Sequence, residues 1–222
     1  MEKTDVAIVA AMRKEVQPLL DKINAESCGF IAGKPFFRAT VSGKTAVIVV
    51  SGIGKVSAAL ATQAVIDKFA PDTVINFGTV GGFGDRVAAK KYYAVEKCCQ
   101  YDFDLSALDD VSVGYNQDYD AVFFPAETNA ADFLEKRVLA TSDRFTCKPQ
   151  DVTTVNSLGC SLCDMEGAAI AQVCLSNKTP LYMIKGVTDV FGSKSNAQQF
   201  AENLKAVSDG FPDTVLQLIS NL

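Results

Sequence analysis

Histidine is absent from this 222-residue chain. Its absence removes Ser-His-Asp and Cys-His catalysis. Acid/base work near neutral pH then falls to carboxylates, with lysine, tyrosine or cysteine in reserve. The same absence argues against zinc: Cys160-Ser161-Leu162-Cys163 has the spacing of a metal or redox half-site, but a four-ligand centre needs a second ligand pair. Neither a metal nor a cofactor is expected. No apolar run approaches the roughly 20 residues that cross a bilayer, so no membrane partner is expected. Basic residues are not in excess either, since 21 Lys and Arg stand against 26 Asp and Glu for a net charge of −5. Without a basic stripe to neutralise phosphates, nucleic acid is not an expected partner. Repeats, low-complexity tracts and linkers are missing too, so residues 1–222 read as a single domain.

What is present is a soluble globular composition, 48% hydrophobic and 21% charged, long enough to bury a substantial core. The start, Met1-Glu2-Lys3-Thr4-Asp5, is charged and leads straight into a strand, which is not the pattern of a signal peptide. The seven cysteines are an odd number in mostly apolar, strand-like surroundings, as befits buried thiols in a reducing compartment. A cytoplasmic protein is expected.

Strands and helices alternate along the chain. Asp5 to Ala11 reads as a buried strand, Lys14 to Ile23 as an amphipathic helix, and Phe36 to Ser42 and Thr45 to Val50 as strands joined at Ser42-Gly43-Lys44. Gly54 to Phe69 reads as a helix with an apolar stripe of Val56, Leu60, Ala64, Ile66 and Phe69. The strand Thr73 to Phe77 empties into Gly78-Thr79-Val80-Gly81-Gly82-Phe83-Gly84, whose glycine content reads as a loop. Tyr92 to Cys98 is strand-like, Tyr101 to Phe124 is irregular, Ala130 to Lys136 reads as a short helix and Val138 to Ser142 as a strand. Asp143 to Gly159 reads as a polar connection, Met165 to Leu175 as a helix, Pro180 to Val187 as a strand and Ser193 to Gln199 as a mobile loop. Phe200 to Leu222 reads as helical, with a break near Gly210 and Pro212. This alternation predicts an α/β protein: a three-layer α/β/α sandwich with a central mixed, largely parallel sheet.

Two carboxylates fall at strand ends, Glu166 after Cys160 to Cys163 and Asp189 after Pro180 to Ile184. In open α/β sheets ligands bind at those ends. Gly52-Ile53-Gly54-Lys55 follows a strand and opens a helix, but both nucleotide fingerprints fail there. Val49 and Val56 break the P-loop pattern, and Ser57 stands at the third dinucleotide glycine. Taken singly, Glu15 is a carboxylate suited to a first helical turn, and Met12 and Phe200 are core residues. In combination they are specific. Ala10-Ala11-Met12-Arg13-Lys14-Glu15-Val16, Ser51-Gly52-Ile53-Gly54-Lys55-Val56, Asn76-Phe77-Gly78-Thr79-Val80-Gly81-Gly82, Asp164-Met165-Glu166 and Thr188-Asp189 follow in one order.

In that order and at those separations the whole chain resembles the 5′-methylthioadenosine/S-adenosylhomocysteine nucleosidases, within the purine nucleoside phosphorylase and uridine phosphorylase family. The resemblance implies that Glu15 activates the attacking water, Asp189 protonates the purine at N7, Glu166 grips the ribose hydroxyls and Met165 packs beneath the sugar. It also implies that Thr79 orients the acid, Phe145 stacks on the base, and Met12, Ile53 and Phe200 line the 5′-thioalkyl pocket. A homodimer, a purine nucleoside substrate and a place in methionine salvage follow from it, and Tyr101 to Phe124 is the expected subunit contact. The chemistry agrees: carboxylates stabilise an oxocarbenium-like sugar, and adenine leaves readily only after a ring nitrogen is protonated.

The chain departs from the family's pattern at several places, among them a shortened Gly82 to Lys91 connection and Thr146 beside Phe145. Tyr101 replaces the histidine of a His-Asp pair, Lys185 stands where many members carry arginine, and Thr79 replaces a serine. These changes bear on the 5′ group more than on the reaction. The alternatives are a phosphate-dependent purine or uridine nucleoside phosphorylase, with Arg13 and Lys55 as anion ligands, and a non-catalytic nucleoside-binding relative.

Overall fold

The structure, a computed structural model, describes residues 3–108, 110–145, 148–192 and 195–222. It is a mixed α/β fold. The first strand, β1 (Val6–Ala10), is buried along its whole length because both neighbours, β4 (Lys44–Val50) and β5 (Thr73–Gly82), pair with it in parallel. Its unbroken apolar run is the signature of a strand covered on both faces. β10 (Leu181–Val190) extends this parallel centre on the other side of β5. A meander of β2 (Glu26–Ile31), β3 (Lys34–Val41) and β4 supplies an antiparallel edge.

The sheet also curls on itself. β10 pairs antiparallel with β6 (Tyr92–Gln100), β6 pairs in parallel with β8 (Lys136–Thr141), β8 with β9 (Leu162–Asp164), and β9 returns antiparallel to Gly81 and Gly82 of β5. β7 (Phe124–Pro125) is a short addition to β6. The helices α1 (Arg13–Lys22), α2 (Lys55–Phe69), α3 (Pro149–Ser157), α4 (Gly167–Asn177) and α5 (Asn196–Asn221) cover the outside.

Several expectations need correction. The glycine-rich segment after Phe77 is not a loop, because β5 continues through Gly82. Its glycines make room for neighbours: a Cβ on Gly82 would stand 2.7 Å from Val87. The α2 stripe holds only in part: Phe69 is buried and Ala64 and Ile66 pack against the core, but Val56 and Leu60 are exposed, and the buried face is Ala58, Ala61, Thr62, Val65 and Phe69. Small residues pack that face against α4. The segment from Ala130 holds only a 3-10 turn, Asn129–Ala131, before β8 starts at Lys136. The polar connection after Asp143 contains α3, opened by Pro149 at its first position.

The expected mobile loop at Ser193 to Gln199 is helical from Asn196, and residues 193 and 194 lie outside the described residues. α5 runs unbroken through Gly210 and Pro212. Gly210 serves close approach there: a Cβ would stand 2.1 Å from the Tyr92 oxygen, whose O–H donates to the Val207 carbonyl at 2.6 Å. The sequence reading also missed β2, whose Glu26, Ser27, Cys28, Gly29 and Phe30 are all exposed. An edge strand without a buried face leaves no alternation to read.

Candidate active site

The carboxyl ends of β1, β4, β5, β9 and β10 converge on one cavity of about 410 Å³. Glu15, Asp189, Glu166, Met165, Thr79, Phe145, Ile53, Met12 and Phe200 all line it. A second cavity of about 390 Å³, bounded by Lys3, Arg38 and Phe69, contains Glu26 as its one acid among the described residues.

Glu15 stands in the first turn of α1, on its buried face with Val16 and Leu19. One oxygen accepts the backbone N–H and the hydroxyl of Thr79, each at 2.7 Å, and the other accepts Met12 N–H at 3.0 Å. Burial raises its pKa, against the hydrogen bonds from Thr79 and Met12 and the charge of Lys185, which pull it down. The close approach depends on β5, because a Cβ on Gly78 would stand 3.3 Å from a Glu15 oxygen. Thr79 therefore serves Glu15. The expectation that it orients the acid is corrected, since Asp189 has other partners.

Asp189 accepts the Thr188 hydroxyl at 2.8 Å and the Asn196 side-chain N–H at 2.7 Å. The β10–β5 register shifts between Val187 and Asp189, and the irregularity re-aims the side chain. Gly81 makes space for it, with an added Cβ only 3.2 Å from the carboxylate. Burial is the main cause of a raised pKa, opposed by the bonds from Asn196 and Thr188. Asn196 was missed in the sequence. The available signal was Ser195-Asn196, a helix-opening pair that places the amide just after the strand carrying the acid.

Glu166 occupies the N-cap position of α4, and one of its oxygens accepts Gly54 N–H at 2.8 Å. Burial, then the negative charge of Asp164, lifts its pKa to about 7. Asp164 is fully engaged. It accepts the Thr141 hydroxyl at 2.6 Å and Gly167 N–H at 3.0 Å, and pairs with Lys185 Nζ at 2.8 Å. The side chains of that pair are 1% and 2% exposed. Lys185 thus places one buried cation beneath the acids, its direct partner being Asp164 and not Glu15.

Phe145 and Phe200 meet edge-to-face at the cavity mouth, with ring centroids 5.9 Å apart, and Ile53 is 56% exposed beside the opening. Arg144 is the one cation lining the cavity among the described residues, and it pairs with Asp151 at 3.1 Å. Tyr101 is buried and accepts the Ser142 hydroxyl at 2.7 Å, beneath the Arg144 guanidinium. Cys163 lines the cavity, whereas the Cys160 sulfur lies 3.7 Å from that of Cys99, so the CxxC cysteines serve different surroundings.

Comparison with known proteins gives a consistent picture. Residues 5–220 match the phosphorylase superfamily. The chain is 33% identical over 230 residues to a 5′-methylthioadenosine/S-adenosylhomocysteine nucleosidase of a Geobacillus species, covering 98% of each chain. Among solved structures, the nucleosidase of the same name from Colwellia psychrerythraea, in complex with adenine, is 31% identical. It superposes with a TM-score of 0.90 over 100% of this chain and 96% of that one. The Neisseria meningitidis nucleosidase in complex with methylthio-immucillin-A is 27% identical, with a TM-score of 0.88 over 99% of this chain and 100% of that one.

Proposed function

This chain belongs to the phosphorylase superfamily, and on that footing we propose that it hydrolyses the N-glycosidic bond of 5′-methylthioadenosine or S-adenosylhomocysteine and releases adenine. The observation that carries the reading is the convergence of Glu15, Glu166 and Asp189 in one cavity, each with a pKa raised by burial. Raised carboxyl groups in a shielded pocket are suited to proton transfer near neutral pH.

In this reading Asp189 carries a proton to N7 of the purine, which lets adenine leave neutral. Glu15 takes a proton from the water that attacks the anomeric carbon, held by Thr79 and Met12. Glu166 accepts hydrogen bonds from the ribose hydroxyls, Met165 packs beneath the ring, and Phe145 stacks on the base. Met12, Ile53 and Phe200 hold the 5′-thioalkyl group. The negative charges of the site favour an oxocarbenium-like sugar. Neither step draws on a metal or cofactor, and a place in methionine salvage accords with these substrates.

Water is favoured over phosphate by how the cations are engaged, since Arg144, the cation lining the cavity among the described residues, is paired with Asp151 at 3.1 Å. The Arg13 guanidinium rests 4.5 Å over the Phe37 ring and its Nε donates to Gln17, while the Lys55 ammonium pairs with Asp102 at 2.8 Å. Neither lines the cavity, whose acids would repel a phosphate. A homodimer belongs to the same proposal. Val56 and Leu60, 80% and 48% exposed, stand one turn apart on α2, and Ile53, 56% exposed, precedes that helix beside the opening, which supports a contact there. The expected contact segment offers a second such group: Tyr101 and Phe124 are 2% and 0% exposed and cover their own core, but Leu108 between them is 81% exposed and supports a contact there as well. No helix among the described residues is long and apolar enough to cross a membrane. The described cysteines are free thiols, which accords with the reducing cytoplasm we infer. The test is a screen of adenosine, inosine, 5′-methylthioadenosine and S-adenosylhomocysteine for base release. Turnover confined to inosine would overturn the adenine-nucleoside reading.

A further inference from the structure

We propose that Asp143 is a positioning residue for Glu166, acting through the first turn of α2, and so governs how tightly the sugar is held. The proposal rests on the reading of Glu166 as the group that takes the ribose hydroxyls.

α2 starts without a side-chain cap of its own, from Gly54 at φ +96°. Its leading N–H groups run instead to acids from distant segments. Gly54 N–H donates to Glu166 at 2.8 Å, and Lys55 N–H donates to Asp143 Oδ1 at 2.7 Å. Asp143 is itself fixed, because its backbone N–H donates to Asp102 Oδ2 at 3.0 Å. The other Asp102 oxygen takes the Lys55 ammonium at 2.8 Å, and both side chains of that pair are 18% exposed.

Asp143, Asp102 and both nitrogens of Lys55 therefore form a closed circuit. It ties the Gly54-Lys55 turn to the segments that follow β6 and β8. The fit is close: a Cβ on Gly54 would stand 3.1 Å from Asp143 Oδ1. Neither Asp143 nor Asp102 lines the cavity. Asp143 is exposed, and exposed charge pairs add little to stability, so the circuit matters through geometry. It holds one N–H donor against one carboxylate, and small misplacements of such groups have large kinetic effects.

The test compares Asp143→Ala and Asp143→Asn in the full chain. Asparagine keeps an oxygen that accepts from Lys55 N–H, and alanine does not. Asp143→Ala should raise KM for 5′-methylthioadenosine about tenfold or more, the scale of one hydrogen bond to a charged group, with a smaller change in kcat. Adenine has no sugar, so its inhibition constant should stay within about twofold, and Asp143→Asn should restore most of the lost KM. If Asp143→Ala does not fold, Asp143→Ser, whose shorter hydroxyl holds the turn less closely, carries the same comparison. An adenine constant that rises in step with KM, or an asparagine variant no better than alanine, would overturn the role of Asp143. No adenine release by the unmutated protein would overturn the reading of Glu166 as well, which separates the two failures.

Discussion

Thr79 donates two hydrogen bonds to one oxygen of Glu15, from its backbone N–H and from its hydroxyl, both at 2.7 Å. The pair joins the first turn of α1 to the middle of β5, across 64 residues of chain. The hydroxyl also lowers the Glu15 pKa against burial. Thr79→Val keeps the shape and the backbone donor but removes the hydroxyl. It should lower kcat about tenfold, move the acid limb of the rate profile to higher pH, and be largely rescued by Thr79→Ser. A pH–rate profile unchanged by Thr79→Val would refute this link.

Asp189→Asn should separate binding from chemistry. The amide still meets Thr188 and Asn196 but has no acid proton for the purine ring. Turnover should fall by about a thousandfold, within the range for one general acid, while 5′-methylthioadenosine still binds. Calorimetry of the variant with that nucleoside checks the second half. Retained turnover would contradict the assignment of the acid.

Stability should fall as pH rises across neutrality. Glu166 has a pKa of about 7 in the folded protein against an ordinary 4.5, so the folded state holds its proton more tightly between those values. Its contribution is fully present below the lower value and is lost as pH rises through the upper one. Glu15 and Asp189 are shifted the same way and act in the same sense. The melting temperature should therefore fall between about pH 5 and pH 8, and Glu166→Gln should flatten part of that slope. An identical slope in the variant would rule out Glu166 as its source.

Lys185→Met should be strongly destabilising. It leaves Asp164 charged and buried without its cation, and breaking such a pair costs about 3–5 kcal/mol. Urea denaturation measures the loss, and Lys185→Arg, which keeps the charge, should lose less. A cost near zero would contradict a stabilising role for the Lys185–Asp164 pair.

Much of the site was legible because its chemistry is tied to residue type. The lack of histidine pointed to carboxylates in general, and the resemblance to a nucleosidase family, carried by the order of the motifs, singled out Glu15, Glu166 and Asp189, which line one cavity. What stayed illegible depends on tertiary packing. Glycine in Gly78 to Gly82 reads locally as a breaker, yet Gly78 and Gly81 sit in a strand because two carboxylates press against it. Val56 and Leu60 read as core because they are apolar, but alanines form the face that packs on α4. Thr79 was placed on the wrong acid because sequence order does not reveal which carboxylate a strand residue will face.

Adenine release from 5′-methylthioadenosine in phosphate-free buffer tests the central claim most directly. The account predicts free adenine and 5-methylthioribose, at a rate that added phosphate does not raise. Release only when phosphate is present, with a 5-methylthioribose 1-phosphate product, would contradict it.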